Sequence, residues 1–151
     1  SKTKESLPFL LSLYESSESN QEIYSFKGVS GIKSVLKDIL DSKPKEILNF
    51  GSTKSIETFS KLQIDIWEFR RIREKIPMKI ITSKKVKQKI KKKNLQKIKF
   101  LEKPFDNFTS TIIYKNKVAI FIWTKEPLAT LIESRELASS YKNYFNLLWN
   151  K

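Results

Sequence analysis

The stretch TSTIIYKNKVAIFIWTKEPLATLIESRELASSYKNYFNLLW, from Thr109 to Trp149, decides the fold of this chain. It begins with a predicted β-hairpin, in which Thr109 to Tyr114 and Val118 to Trp123 flank the turn Lys115–Asn116–Lys117. Ala129 to Ile132 is predicted as a short extended piece. Glu136 to Trp149 is predicted as an amphipathic helix, because its apolar residues recur at helical spacing. The residues expected to face the core are Leu137, Tyr141, Tyr144, Phe145, Leu148 and Trp149.

The chain before this stretch alternates between strand and helix patterns. Strands are predicted at Glu22–Phe26, Glu46–Phe50, Met78–Thr82 and Lys97–Leu101, and helices at Ser30–Leu40, Ser55–Lys75 and Ser83–Lys93. Such alternation indicates an α/β fold with a parallel sheet, which the terminal hairpin makes mixed. Residues 1–20 are predicted to be a lead-in, with a short helix over Leu7 to Tyr14 and a polar linker, so that the folded domain spans residues 21–151.

The composition excludes several kinds of site. The chain of 151 residues contains neither cysteine nor histidine, so it has no disulfide, no thiolate nucleophile and no imidazole base or metal ligand. No cofactor and no metal are expected. No apolar run reaches the ~20 residues that span a bilayer, and the first residues lack the small-residue cleavage pattern of a signal peptide, so we expect a cytoplasmic protein without membrane contact. The net charge of +14 comes mostly from lysine and has two interpretations, a solvated surface or a nucleic-acid-binding face.

Four phrases together carry a resemblance to a known family. They are FKGVSGIKSVLKDIL (Phe26 to Leu40), ILNFGS (Ile47 to Ser52), STIIYKNKVAIFIW (Ser110 to Trp123) and LIESRELASSYKNYFNLLW (Leu131 to Trp149). In this order and spacing they resemble the C-terminal domain of the TrmB family of archaeal transcription regulators, which is similar to the phospholipase D fold. The resemblance implies a mixed β-sheet flanked by helices on both faces.

The phospholipase D motif HxKxxxxD falls on Thr109, Thr111 and Asn116. An active enzyme of that fold needs the histidine as a nucleophile, the lysine to bind the anion and the aspartate to orient the histidine. Threonine without a base is a far weaker nucleophile, so we expect no enzymatic activity and no catalytic residue. The two threonines have a second interpretation, as ordinary β-branched strand residues. A residual phosphodiesterase is the remaining enzymatic alternative.

Two groups of residues are candidate ligand contacts. Asn49, Gly51, Ser52 and Thr53 follow a predicted parallel strand, where ligands of open α/β sheets bind, and the turn could offer N–H donors at a helix start. The alternative is an ordinary capped turn. Glu133 and Ser134 precede the last helix, where they could accept hydroxyl groups or simply cap that helix. Thr109 and Thr111 complete the predicted ligand-binding set.

The resemblance also implies partners. Family members place a winged-helix DNA-binding domain and a dimerising helix ahead of this domain, so we expect a homodimer, a small-molecule effector such as a sugar, and DNA contact through a winged helix that this chain lacks. The chain would then be a truncated piece or a stand-alone relative. The alternative function is a basic accessory module that binds nucleic acid directly through the lysine-rich segment, with Lys84, Lys85, Lys89, Lys92 and Lys93 as contacts.

Overall fold

The computed structural model describes residues 8–9, 21–55, 59–102 and 108–151. In chain order their elements are β1 (Glu22–Lys27), α1 (Gly28–Asp41), β2 (Ile47–Phe50), α2 (Lys61–Arg73), β3 (Met78–Ser83), a 3₁₀ helix (Lys84–Val86), β4 (Gln96–Leu101), β5 (Thr109–Tyr114), β6 (Lys117–Ile122), β7 (Leu128–Glu133) and α3 (Arg135–Trp149). The lead-in helix predicted over Leu7 to Tyr14 lies outside the described residues, apart from Pro8 and Phe9.

The strands form one seven-stranded mixed sheet in the order β1-β7-β6-β5-β2-β3-β4. Strands β2, β3 and β4 are parallel, whereas β5 pairs antiparallel with both β2 and β6. The predicted parallel first part and terminal hairpin are therefore confirmed. The extended piece at Ala129–Ile132 is a full strand, β7, which joins the hairpin to β1 at the sheet edge.

Helices cover both faces of the sheet, as the sequence predicts. Helices α1 and α2 cover the face that carries Ile47, Ile80 and Ile112, while α3 covers the opposite face with Phe145 against Leu48 and Ile113. Alternate residues of a strand point to opposite faces, so each central strand contributes to two separate cores. The described helices include none that is long and apolar enough to cross a membrane.

A buried arginine fixes helix α2 to the rest of the domain. The Arg71 side chain is fully buried, and its Nε and Nη2 donate to Glu68 Oε2 at 2.8 and 2.6 Å. Its Nη1 donates to the carbonyls of Ile76 and Leu95, and Nη2 also donates to the carbonyl of Asn94. Arg70, Arg71 and Arg73 all lie in the last turn of α2, a position that predicts exposed cations favoured by the helix dipole, but Arg71 is used inside the fold instead.

The long helix predicted over Ser55–Lys75 is wrong in its start and its buried face. The chain is not helical at Phe59 and Ser60, and α2 begins at Lys61, where Ser60 Oγ accepts from the Gln63 amide. The spacing of Leu62, Ile66 and Phe69 predicts a buried apolar stripe, but these side chains point outward and are largely exposed. The inner face instead presents Ile64, Trp67, Glu68 and Arg71.

The lysine-rich segment does not form the predicted helix over Ser83–Lys93. It contains one 3₁₀ turn, Lys84–Val86, capped by the hydroxyl of Ser83, and continues without regular structure to β4. Val86 is buried and Ile90 is half-buried, which is too little apolar surface to hold a helix against the sheet.

Smaller differences concern the first and last helices. Helix α1 begins at Gly28 rather than at a Ser30 cap, and no side chain caps its start. A Cβ at Gly31 would meet Phe26 Cβ at 2.7 Å, so glycine is needed where α1 crosses the end of β1. Tyr144, expected in the core, is 56% exposed on α3.

Candidate functional site

A cleft of about 330 Å³ runs between the inner face of α2 and the sheet. Its floor follows β3 from Met78 through Ile80 to Thr82 and continues onto β2 and β5 at Asn49 and Ile112. The segment that precedes β4 closes one side with its lysines. The volume is within the range of small-molecule sites, which lies at ~300–1,000 Å³.

The interior of the cleft is mostly apolar and partly aromatic. Phe59, Trp67 and Trp123 line it with rings. The indole N–H groups are already used, since Trp67 Nε1 donates to the Leu36 carbonyl at 2.8 Å and Trp123 Nε1 donates to Ser110 Oγ at 2.7 Å. The two tryptophans therefore offer the cleft ring surface and no further N–H donor.

Two oxygens at the floor of the cleft are buried without a hydrogen-bond partner among the described residues, Asn49 Oδ1 and Thr82 Oγ1. The Thr82 side chain is 1% exposed. A Cβ at Gly51 would lie 3.3 Å from Thr82 Oγ1, so a larger residue at this position would crowd the hydroxyl. Buried polar atoms are nearly always bonded in native proteins, so such a pair marks a place where a bound molecule can supply the partner.

The rim of the cleft is positively charged. Lys61 and Lys93 both bind Asp65, at 3.3 and 3.0 Å, and the hydrogen bond from Lys93, followed by that from Lys61, lowers the pKa of the Asp65 carboxyl. Lys89 and Lys91 also line the cleft and form no ion pair with any described residue.

The remaining carboxylate in the cleft belongs to Glu68. Burial raises the pKa of Glu68, and the hydrogen bonds from Arg71 oppose that shift. The arginine balances this charge, so the lysines of the rim keep an excess of positive charge. Within the described residues, no cluster of acidic side chains could bind a metal ion.

The turn after β2 does not present the N–H donors that the sequence suggested. The Gly51 N–H donates to the Ile81 carbonyl, and the Ser52 N–H donates to Ser110 Oγ. The Lys54 N–H donates to Ser52 Oγ. Because these groups are used within the fold, a ligand here would be held by side chains.

The structure brings together only part of the predicted ligand-binding set. Asn49, Gly51 and Ser52 line the cleft, whereas Thr53 is adjacent in sequence but does not line it. Thr109 and Thr111 alternate with Ser110 and Ile112 on β5, so their side chains point to the α3 face, opposite the cleft.

The other predicted positions lie at the far end of the sheet. Asn116 occupies the turn between β5 and β6, so it lies about 20 Å along the chain from Thr109 and cannot orient a group there. Ser134 caps α3 by accepting from the Leu137 amide at 3.2 Å, and its own N–H donates to the Asn116 carbonyl. Glu133, the last residue of β7, is at the same end.

The lysines of the alternative function are divided between two places. Lys89 and Lys93 line the cleft, whereas Lys84, Lys85 and Lys92 are exposed outside it. Sequence reasoning missed Thr82, Lys91 and Trp67 as cleft residues. Thr82 could have been found, since it ends the strand beside Asn49 and obeys the same strand-end rule.

Comparison with known proteins establishes the fold. Family models give no match, and neither do curated proteins. Among solved structures, the archaeal chromatin protein TrmBL2, whose structure is described as showing a novel mode of DNA binding, matches with a TM-score of 0.62 and 17% identity. The match covers 99% of this chain and 62% of TrmBL2, so the chain spans less than two thirds of that protein.

Two bacterial structures share the fold over nearly their whole length. NucT from Helicobacter pylori matches with a TM-score of 0.59 and 13% identity over 86% of this chain and 96% of its own. Nuc from Salmonella typhimurium, a phospholipase D family member, matches with a TM-score of 0.55 and 14% identity. The match covers 86% of this chain and 95% of Nuc. The predicted phospholipase D-like fold, of the type found in TrmBL2, is confirmed.

The unpartnered hydroxyl of Thr82 has a measurable consequence for stability. Thr82→Val replaces it with a methyl group of similar size, so the free energy of unfolding should rise by about 1 kcal/mol. Ser110→Ala is the matched control on the neighbouring strand: it removes the acceptor of the Ser52 and Trp123 N–H groups and should lower that free energy by about 2 kcal/mol. Urea denaturation measures both. A destabilised Thr82→Val would mean that the hydroxyl has a partner.

Proposed function

We propose that this domain is the regulatory part of a TrmB-like transcription regulator and that it senses a small molecule in the cleft beneath α2. The observation that supports this most is the pair of unpartnered buried oxygens of Asn49 and Thr82 at the floor of an apolar cleft. A fold that only needed stability would gain by replacing them with apolar groups. In this proposal DNA is contacted by a winged-helix domain and not by this one.

We also propose that this domain does not hydrolyse phosphodiesters. Thr109 and Thr111 are half-buried on β5 with no imidazole in the chain to act as base or nucleophile. The fold is shared with a phospholipase D family member, but fold alone does not imply chemistry. Turnover of a chromogenic phosphodiester that Thr109→Ala abolishes would contradict this part.

A route leads from the cleft to the edge of the sheet. Helix α2 is bonded to α1 at two points: Trp67 Nε1 donates to the Leu36 carbonyl, and Arg70 Nη2 binds Asp41 Oδ1 at 2.7 Å. Helix α1 follows directly from β1 at Gly28. A ligand that favours one position of α2 would thereby bias β1, which is how a bound molecule can shift a population.

We place the homodimer contact at β1, with a second copy of this chain as the partner. Strand β1 lies at the edge of the described sheet, and Ile23 and Tyr24 on it are 70% and 41% exposed. An antiparallel pairing of two β1 strands about a two-fold axis would place Glu22 opposite Lys27 of the second copy at both ends. This self-complementarity of charge suits an isologous interface.

A charge-exchange experiment tests the β1 contact. Glu22→Lys would place a lysine opposite Lys27 of the second copy at both ends of the interface. The affinity of the dimer should fall about tenfold, since each cross-strand pair contributes up to ~1 kcal/mol. Adding Lys27→Glu to the same chain restores opposite charges and should restore the affinity. Sedimentation equilibrium measures both. Monomer alone at micromolar concentration, or equal affinities for the single and double variants, would rule out this interface.

Ligand sensing is tested by thermal unfolding against sugars, sugar phosphates and nucleotides. A ligand present at about a hundred times its Kd should raise Tm by roughly 5–10 °C. Ile64→Trp, on the inner face of α2, should fill the cleft and abolish the shift, while Ile66→Trp on the exposed outer face should not. The proposal fails if no compound shifts Tm, or if both variants respond like the unaltered protein.

The second candidate function is direct nucleic-acid binding. Lys84, Lys85 and Lys92 are exposed together on the segment between β3 and β4, and TrmBL2 is described as a DNA-binding chromatin protein. Against this, Lys84 binds Glu102 at 3.3 Å, and Phe100 is the only aromatic residue that the lysine-rich segment and β4 place nearby, with Lys87 over its ring. Such a surface would bind phosphates without stacking bases.

A further inference from the structure

We infer that the ligand of the cleft is a small anion with a flat, hydrogen-bonding ring, of the nucleoside monophosphate class, and not a neutral sugar. The inference rests on the proposed sensing function and specifies its ligand. Three features of the cleft support this inference: the excess of lysines at the rim, the aromatic walls and the two unpartnered oxygens at the floor.

The rim selects for negative charge. The described lining contains Lys61, Lys89, Lys91 and Lys93 against the carboxylates Asp65 and Glu68. Arg71 already neutralises Glu68, and Asp65 offers one charge to two lysines. Lys89 and Lys91 are exposed at the cleft mouth and have no counter-charge among the described residues, so their flexible ammonium groups can close on a phosphate.

The interior selects for a flat body. The rings of Phe59 and Trp123 pack edge to face, with 6.1 Å between their centroids, and Trp67 lines the cleft from α2. Because both indole N–H groups are occupied, these residues recognise a molecule by ring contact. A sugar phosphate would satisfy the lysines but would leave this aromatic surface without a planar partner.

The floor selects for a ring whose edge makes hydrogen bonds. Asn49 Oδ1 accepts, and the Thr82 hydroxyl can either donate or accept. A nucleobase presents ring nitrogens and exocyclic groups along one edge, so it can satisfy both oxygens while its phosphate remains at the lysine rim. A purely hydrocarbon acid would bury its body but leave both oxygens unpartnered.

A nucleobase with an attached phosphate can come from a free nucleotide or from the end of a nucleic-acid strand. The cleft accommodates one ring and one phosphate in about 330 Å³. A longer strand would extend past the rim over the exposed Lys84 and Lys92, which are outside the cleft. If binding depends on those two lysines, the ligand is a strand; if it does not, the ligand is a free nucleotide.

The test is a titration monitored by tryptophan fluorescence, using the four nucleoside monophosphates, their four nucleosides, ribose 5-phosphate, inorganic phosphate, maltose and a ten-nucleotide DNA strand. At least one nucleoside monophosphate should bind about tenfold more tightly than its nucleoside, and more tightly than ribose 5-phosphate. Lys89→Gln with Lys91→Gln should cost about tenfold, and so should Asn49→Leu. Lys84→Gln with Lys92→Gln is the control and should leave nucleotide affinity unchanged.

The outcomes separate this inference from the sensing function. Maltose binding that Ile64→Trp abolishes and the Lys89/Lys91 variant does not affect would keep a sensing cleft and overturn the anionic ligand. Strand binding that depends on Lys84 and Lys92 but not on Ile64 would overturn it in favour of a nucleic-acid surface. Binding of the DNA strand that Ile64→Trp blocks would support the inference and would identify the end of a strand as the ligand of the cleft. Absence of binding by every probe, in fluorescence and in thermal unfolding, would remove the sensing function itself.

Discussion

The cleft depends on the buried guanidinium of Arg71. Its hydrogen bonds join three parts of the chain: α2 through Glu68, the turn that ends α2 through Ile76, and the segment before β4 through Asn94 and Leu95. These parts are the roof and the side of the cleft. Removing one member of a buried ion pair typically costs ~3–5 kcal/mol, because the other charge remains buried alone. The geometry between α2 and the lysine-rich segment is thus fixed by an interaction that contacts no ligand.

The sheet separates the phospholipase D motif positions from the proposed site. Thr109 and Thr111, where the phospholipase D motif would place its histidine and lysine, point to the α3 face, whereas Asn49 and Thr82 border a cleft on the other face. Side chains of alternate strand residues share a backbone but no contacts. Changes at the motif positions therefore need not disturb the cleft.

Local patterns in the sequence were sufficient for the sheet. The apolar strands β2 and β3 and the hairpin of β5 and β6 lie where short β-branched runs and the Lys115–Asn116–Lys117 turn predict them. Helix α3 likewise follows from its apolar spacing. These elements need only their own residues and a core to bury them against.

What the sequence did not reveal depends on tertiary partners. The α2 stripe of Leu62, Ile66 and Phe69 is more apolar than the inner face, yet the inner face is selected because Arg71 finds its acceptors there. Lys99 is another lysine with a structural role, since its ammonium donates to the carbonyls of Leu148 and Trp149 and caps α3. Asn49, Gly51 and Ser52 of the cleft followed from the strand-end rule. Thr82 obeys the same rule on the neighbouring strand, whereas Lys91 does not, because its place depends on which segment lies beside the cleft.

Hydrogen–deuterium exchange with and without a saturating ligand from the titration panel tests the central claim most directly. We expect new protection in α2 and in the segment from Lys89 to Lys93, with no change in α3, because a molecule in the cleft restricts its roof and side and leaves the opposite face of the sheet untouched. Protection centred on α3, with α2 unaffected, would contradict this and return the site to the face that carries Thr109 and Thr111.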